Sequence, residues 1–155
     1  TCRSLQQQCR DLGRLELNLT ISNFTPKPHT PFQWHSVSTA EFRRRQQLLR
    51  DALRPLRGLK TNYTDVRLSA MEDFVGRGDR RLAPVIAAAR GRHDSLGGWK
   101  QAYRQIGSSG ATPPLPSWES VVHDAWSAEQ MLPWGHLQGP LPVTTLRQHH
   151  DQALS

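Results

Sequence analysis

Hydrophobic and polar residues alternate from Leu15 to Ser22, and this is the clearest periodic pattern in the sequence. A period of two places the three leucines and Ile21 on one face of a β-strand and the polar residues on the other. An edge strand with one face in water would show this pattern. A barrel strand whose apolar side packs under helices and whose polar side faces the interior would show it equally. The pattern predicts a strand and leaves its setting open.

A proline-rich loop, a helix and a second strand follow in that order. Three prolines between residues 26 and 31 exclude a helix or a central strand there, because proline fixes φ and has no amide hydrogen. Ser38 and Glu41 then form the S-x-x-E pattern of a capping box, which predicts the start of a helix. Its apolar stripe consists of Phe42, Leu49, Leu53 and Leu56. A weaker strand pattern covers residues 59–68, so the order predicts a βαβ unit and a parallel sheet or barrel.

The second half of the chain has mainly helical patterns. Ser69 and Glu72 fit another capping box. Further helical patterns lie around residues 82–89, 99–106 and 118–131. Residues 107–117 are rich in glycine, serine and proline, which predicts a flexible linker. We therefore expect an α/β fold, with β/α units over residues 1–68 and a mostly helical extension over residues 69–155.

Most of the basic charge lies in one segment. The net charge is +7, and residues 39–60 alone carry seven basic and two acidic side chains. Such a segment indicates either a solvated helix face or a surface that binds phosphates. No aromatic residues interleave the arginines in the way that a base-stacking platform needs. We favour the solvated face, and an RNA-binding module that uses the Arg43–Lys60 helix is the alternative.

Two further classes of function receive little support from the residues present. No apolar run approaches the ~20 residues that a membrane-spanning helix needs, so we expect no membrane partner. The seven histidines form no H-E-x-x-H motif, and Cys2 and Cys9 lack the close pairing of a zinc site. We therefore predict no metal ligands in this chain.

The proline-rich loop carries the better candidates for a binding site. In parallel α/β folds, the loops that follow the carboxyl ends of the strands hold the ligand. Here these positions offer Asn23, Lys27, His29, Gln33 and His35. Lys27 lies between two prolines and could bind a carboxylate or a phosphate with little loss of entropy. Equally, the prolines could only stiffen a surface turn and leave Lys27 in water.

A second group of charged residues surrounds a predicted break between helices, where two glycines interrupt the helical pattern. Its members are Asp73, Arg77, Asp79, Arg80 and Arg81. They could form one charged cluster. The simpler interpretation is local pairing at i,i+4, as between Asp73 and Arg77, which is worth a few tenths of a kcal/mol. We favour the simpler interpretation for any single residue.

Three blocks of this sequence resemble radical S-adenosylmethionine (radical SAM) enzymes. The segment from Leu19 to Thr39, LTISNFTPKPHTPFQWHSVST, resembles the late barrel segment of that family. The segment from Asn62 to Leu82, NYTDVRLSAMEDFVGRGDRRL, and a short block at 132–136 also resemble it. The nearest group is the poorly characterised one with an N-terminal cobalamin-binding-type domain. The similarity runs from about residue 5 to residue 136 and is most specific in the first two blocks.

The resemblance implies a partial (β/α) barrel that holds a [4Fe-4S] cluster on a C-x-x-x-C-x-x-C loop. One cluster iron binds S-adenosylmethionine, and electron transfer splits the sulfonium to give a 5′-deoxyadenosyl radical, which abstracts hydrogen from an unknown substrate. Cobalamin is a candidate further cofactor, because this group has a cobalamin-binding-type domain, and the residues of this chain leave the dependence open. Residues 1–68 would then be the end of the radical SAM barrel, and residues 69–155 a helical C-terminal extension. We expect a cytoplasmic enzyme.

This chain has no C-x-x-x-C-x-x-C motif, because Cys2 and Cys9 are its only cysteines. It begins on Thr1, and its only methionines are Met71 and Met131. We therefore expect a C-terminal fragment that is not catalytic alone and whose partner is the missing N-terminal part of the same barrel.

The resemblance assigns site residues by position. In related methylthiotransferases, a proline-flanked basic residue ends a late strand near the cofactor, so Lys27 is expected to approach S-adenosylmethionine or the substrate. Thr20, Ser22 and Asn23 are expected to line the mouth of the barrel on the cofactor side. The candidate substrate-binding residues are His29, Gln33, His35, Arg77, Asp79 and Arg80. No catalytic residue is assigned.

Overall fold

The computed structural model describes residues 2–12, 15–91, 96–110 and 112–155. Within these ranges the structure has two β-strands, β1 (Leu17–Ile21) and β2 (Leu59–Tyr63). The α-helices of the same ranges are α1 (Cys2–Gln8), α2 (Thr39–Leu53), α3 (Val66–Arg77), α4 (Ala83–Ala89), α5 (Leu96–Ser108), α6 (Trp118–Val122) and α7 (Val143–Leu154). Short 3-10 turns occupy Arg10–Leu12 and Arg80–Leu82. The predicted mixed α/β class is confirmed.

The chain divides into two compact units. The first contains residues 1–23 and 38–66, and the second contains residues 24–37 and 67–155. The proline-rich loop is therefore grouped with the helices of the C-terminal part rather than with the strands.

In the first unit, β1 and β2 form a parallel pair. The register matches Leu17 with Leu59 and Ile21 with Tyr63, and α2 lies between the strands in the chain, as predicted for a βαβ unit. Within the described residues the sheet has only these two strands and does not form the expected partial barrel. The polar side chains of β1 are exposed, and its apolar side chains are only half-buried.

Helix α2 begins as the capping box predicts, because the Ser38 hydroxyl accepts a hydrogen bond from the Glu41 amide at 3.2 Å. The predicted apolar stripe is wrong at two positions, since Leu49 is 40% exposed and Leu56 lies beyond the end of the helix. A helix of this length extends about 22 Å, whereas a five-residue strand extends about 17 Å. The helix is therefore longer than the sheet surface that could cover its stripe.

Polar side chains connect α2 to the ends of both strands. Gln46 is buried, and its Nε2 donates to Asn23 Oδ1 and to the Thr64 carbonyl, both at 2.9 Å. Asn23 Nδ2 donates to the same carbonyl at 3.2 Å. The Arg50 guanidinium lies 4.3 Å from the centre of the Tyr63 ring. These contacts bring the residues that follow β1 and β2 to one helix.

The hydrophobic core of the second unit draws on its helices and on the loops around them. Its buried apolar residues are Trp34, Val37, Ala70, Met71, Phe74, Leu82, Val85, Ala89, Ala102, Val121, Val122, Leu132, Trp134 and Leu146. Helix α3 begins at Val66, so Ser69 lies inside the helix and is buried. The second capping box is therefore wrong, because the helix starts one turn earlier than that pattern places it.

Two other sequence expectations change in this unit. The helix expected over 118–131 ends at Val122. Part of the linker expected over 107–117 is packed: α5 continues to Ser108, and Pro116 is buried and accepts a hydrogen bond from the Tyr103 hydroxyl at 3.1 Å. Ala111, within that linker, lies outside the described residues.

We expect Gln46→Leu to lower the free energy of unfolding by about 1–3 kcal/mol, because Asn23 Oδ1 loses its donor in a half-buried position. Gln47→Leu is the matched control: Gln47 is exposed and bonds only to Asp51, so its effect should stay within about 0.5 kcal/mol. Urea denaturation followed by circular dichroism measures both. Equal stability of the two variants would contradict the assigned role of Gln46.

Candidate functional site

The proline-rich loop is fixed by Gln33, one of the predicted substrate residues. Gln33 is 2% exposed, and its Oε1 accepts hydrogen bonds from the His29 amide at 3.1 Å and from Trp134 Nε1 at 2.7 Å. The loop and the 132–136 segment therefore meet at this side chain. Gln33 therefore has a structural role. Its side-chain oxygen already accepts two hydrogen bonds and is unavailable to a ligand.

His29 adopts an uncommon backbone conformation, with φ of 57° in the left-handed region. Gly139 lies against its ring, and a Cβ on that glycine would stand 2.6 Å from His29 Nδ1. Only glycine allows this close approach. His29 and Gln33 line one cavity of about 430 Å³ together with Trp134.

Lys27 forms an ion pair with Glu72 of α3. Both side chains are about half exposed, and exposed pairs of this kind contribute at most about 1 kcal/mol. Of the two prolines that flank Lys27, Pro26 is buried and Pro28 is half-buried. An anion that binds Lys27 therefore has to compete with Glu72, and this competition is weak.

The three remaining candidates for the cofactor side lie in the first unit. Thr20 and Ser22 are exposed, and Thr20 stands opposite Asn62 in the strand register. Asn23 uses its amide nitrogen and its amide oxygen in the contacts with Thr64 and Gln46. Thr20 and Ser22 remain accessible to a ligand, whereas Asn23 holds the strand ends.

The most heavily buried charges belong to Asp73 and Arg77, one turn apart on α3. Both side chains are 0% exposed, and Arg77 Nη1 lies 3.5 Å from Asp73 Oδ2. Arg77 also donates to the carbonyls of Val122 at 3.3 Å and Asp124 at 3.0 Å. Its guanidinium lies 3.9 Å from the centre of the Trp126 ring. The i,i+4 pairing was predicted, but the sequence did not indicate its burial.

Burial dominates the protonation of this pair. It raises the pKa of Asp73 to about 7, against the opposing attraction of Arg77. Burial also lowers the pKa of Arg77, although Asp73 acts in the other direction. Neither Asp73 oxygen has a hydrogen bond of normal length within the described part of the chain, and the charges of Arg77 and Lys27 compensate the carboxylate only in part for the loss of water.

A cavity of about 850 Å³ brings three predicted substrate residues together. These are Arg77, Asp79 and Arg80, and the same cavity is lined by Arg81, Trp126 and His136. Arg81 donates three hydrogen bonds to the Asp79 carboxylate, and this bonding lowers the pKa of Asp79. Arg80 is exposed, and no ion pair holds its side chain among the described residues. Arg80 is therefore the cation most available to a bound anion.

The six predicted substrate residues do not form one site. His35 lines a third cavity, of about 380 Å³, together with His150. Sequence reasoning missed Trp126 and His150, which lie beside the predicted residues. No local pattern could have found them, because each is far along the chain from its partner.

The residues of this chain do not fit an iron–sulfur cluster. Cys2 lies on α1 and Cys9 follows it, and both are free thiols. No group of three or more histidine, cysteine or acidic side chains could hold a metal ion in the part of the chain that the structure describes. The ligands of any cluster would have to come from elsewhere.

The two acidic residues of the basic helix each pair with neighbouring arginines. Arg44 and Arg45 both bond to Glu41, and the hydrogen bonds from Arg44 and then Arg45 lower the pKa of Glu41 to about 2. Arg54 pairs with Asp51. This arrangement is typical of a solvated helix face.

Searches of protein-family models, of curated proteins and of solved structures gave no match to this chain. Among the described helices, none is both long enough and apolar enough to cross a lipid bilayer. The functional argument therefore depends on the geometry and on the resemblance of the sequence blocks.

We expect Arg77→Met to lower the free energy of unfolding by about 3–5 kcal/mol, because Asp73 and two carbonyls lose their buried partner. Arg81→Met removes a partly exposed pair and should cost about 1 kcal/mol or less. Urea denaturation at neutral pH measures both variants. A loss for Arg77→Met no larger than that for Arg81→Met would contradict the role assigned to the buried cation.

The raised pKa of Asp73 predicts a specific pH dependence. The folded chain binds this proton more tightly than the unfolded chain, whose ordinary value is 3.8. The stability due to this group is therefore complete below about pH 4 and is lost as the pH rises through about 7. Unfolding measured across this range should show the decline in the unaltered chain and a flatter dependence in Asp73→Asn. Parallel curves for the two proteins would refute the prediction.

Proposed function

We propose that this chain forms the last β/α units and the C-terminal extension of a cytoplasmic radical SAM iron–sulfur enzyme. The observation that carries the proposal is the parallel pair of β1 and β2 joined through α2. Parallel sheets occur almost only where several strands have both faces covered. A pair of five-residue strands with a half-exposed apolar face is therefore better explained as part of a larger sheet.

The free edges of this pair support the same conclusion. Within the described ranges each strand has one neighbour, so each presents a row of backbone groups that another strand can bind. Further strands of a barrel would pair with these groups and cover the leucines of β1. This chain supplies no cluster ligands, and in our proposal the cluster and its bound S-adenosylmethionine belong to the rest of the barrel.

The large cavity of the second unit would bind the anionic part of the substrate. Arg80 offers an exposed cation at its edge, and Arg77 and Arg81 add positive charge that Asp73 and Asp79 offset. Arginine is suited to carboxylates and phosphates because its planar donors match their geometry. The side chains of this cavity orient a ligand, and the radical chemistry takes place outside this chain.

The RNA-binding alternative receives less support from the structure. Three of the arginines between Arg43 and Lys60 are paired with acidic neighbours on the same helix, and Arg50 stacks on Tyr63. These pairs offset part of the charge, so the paired arginines would release fewer counterions than free ones. Salt-dependent RNA binding that is lost in the Arg44→Glu, Arg50→Glu double variant would nevertheless favour it.

The gene product that contains this chain tests the proposal. Purified without oxygen and supplied with S-adenosylmethionine and a strong reductant, it should release 5′-deoxyadenosine. We expect Lys27→Ala to raise the KM for S-adenosylmethionine, because an ammonium near its carboxylate is lost. Lys100→Ala, an exposed lysine of α5, is the control and should leave KM unchanged. A protein without cluster absorbance and without 5′-deoxyadenosine would overturn the proposal.

A further inference from the structure

Two histidines meet end to end in the second unit. Nε2 of His35 lies 2.8 Å from Nε2 of His150, and the ring centres are 5.0 Å apart. The two distances differ by about twice the distance from the centre of an imidazole ring to one of its nitrogens. Both Nε2 atoms therefore lie close to the line that joins the two ring centres. This is the geometry of an N–H···N hydrogen bond with a single hydrogen between the rings.

The contact of the outer nitrogen of His150, Nδ1, shows where the ring hydrogen of His150 lies. His150 Nδ1 is 3.0 Å from Asp151 Oδ1, and a carboxylate can only accept, so Nδ1 carries a hydrogen. The remaining hydrogen is on one of the two facing Nε2 atoms. A second hydrogen there would point two N–H groups at each other and break the contact.

The surroundings of the pair disfavour a second positive charge. The edges of Phe32 and Trp34 approach the His150 ring. Burial, then His150, then Arg77 of α3 lower the pKa of His35. The other charged groups around the cavity are Glu129 from the 125–131 segment and Arg147 and Asp151 from α7. Glu129 is bonded to the Ser127 hydroxyl, and Arg147 donates to the Ala128 carbonyl.

Few other contacts hold α7 in place. Leu146 is its one buried residue, and it packs with Trp34, Leu132 and Trp134. Most of the remaining side chains of α7 are exposed. The helix and the residues before it also line the cavity that contains His29 and Gln33. Displacement of α7 would therefore remove part of the wall of that cavity.

We propose that the His35–His150 contact is a proton-operated latch that holds α7 over the proline-rich loop at neutral pH and releases it in acid. A single proton added to the pair leaves the shared hydrogen bond in place, whereas protonation of both rings puts a hydrogen on each facing Nε2, breaks the bond and leaves two like charges face to face. The folded form of His35 resists protonation more than the unfolded form does, so its contribution to stability falls as the pH decreases below about 6.5. This device is independent of the reaction proposed above.

Amide hydrogen exchange followed by mass spectrometry tests the latch, with rates corrected for the intrinsic effect of pH. Between about pH 7.5 and about pH 5, protection of residues 143–154 should fall about tenfold or more relative to that of α3. His150→Asn should show the low protection at every pH. His149→Asn changes the exposed neighbour on the same helix and should behave like the unaltered chain.

Protection of α3, measured in an Asp73→Asn background that removes the titrating carboxylate of α3, serves as the reference for global folding, so an effect confined to α7 is distinguished from unfolding of the chain. His35→Asn provides a second variant and should also reduce protection of α7 at neutral pH. Protection of α7 that does not depend on pH in the unaltered chain would overturn the proposal. A transition of the same size in His150→Asn would overturn it as well.

Discussion

The buried guanidinium of Arg77 is the contact on which the second unit depends. Its charge persists at every accessible pH, so burial requires partners on all sides. Asp73 supplies the countercharge, the carbonyls of Val122 and Asp124 accept its hydrogen bonds, and Trp126 covers one face. These acceptors explain why the helix expected over 118–131 ends early. The Val122 carbonyl also accepts from the Val37 amide at 2.9 Å, so its partners lie outside a continued helix.

Signals within a few residues predicted the local structure well. The alternation before Ser22 predicted β1, Ser38 predicted the start of α2, and the i,i+4 spacing predicted the pairing of Asp73 with Arg77. Contacts between distant residues could not be predicted in this way. Gln33 bonds to a side chain 101 positions away and His35 to one 115 positions away, and no periodic pattern encodes such pairs.

The same limit applies to burial and to the number of strands. The sequence predicted the apolar stripe of α2 by periodicity alone, but exposure of Leu49 depends on how much sheet is present to cover it. The expected substrate residues are distributed over three cavities, because loop composition does not specify which way a side chain turns. Arg77, Asp79 and Arg80 do share a cavity, since they lie within one short segment.

The central claim is that β1 and β2 belong to a larger parallel barrel with its own cluster motif. The DNA that precedes the codon for Thr1 tests this claim most directly. We predict an open reading frame that continues upstream and encodes a C-x-x-x-C-x-x-C motif followed by further strand and helix patterns. A stop codon immediately upstream, with no such motif in any upstream frame, would contradict the claim.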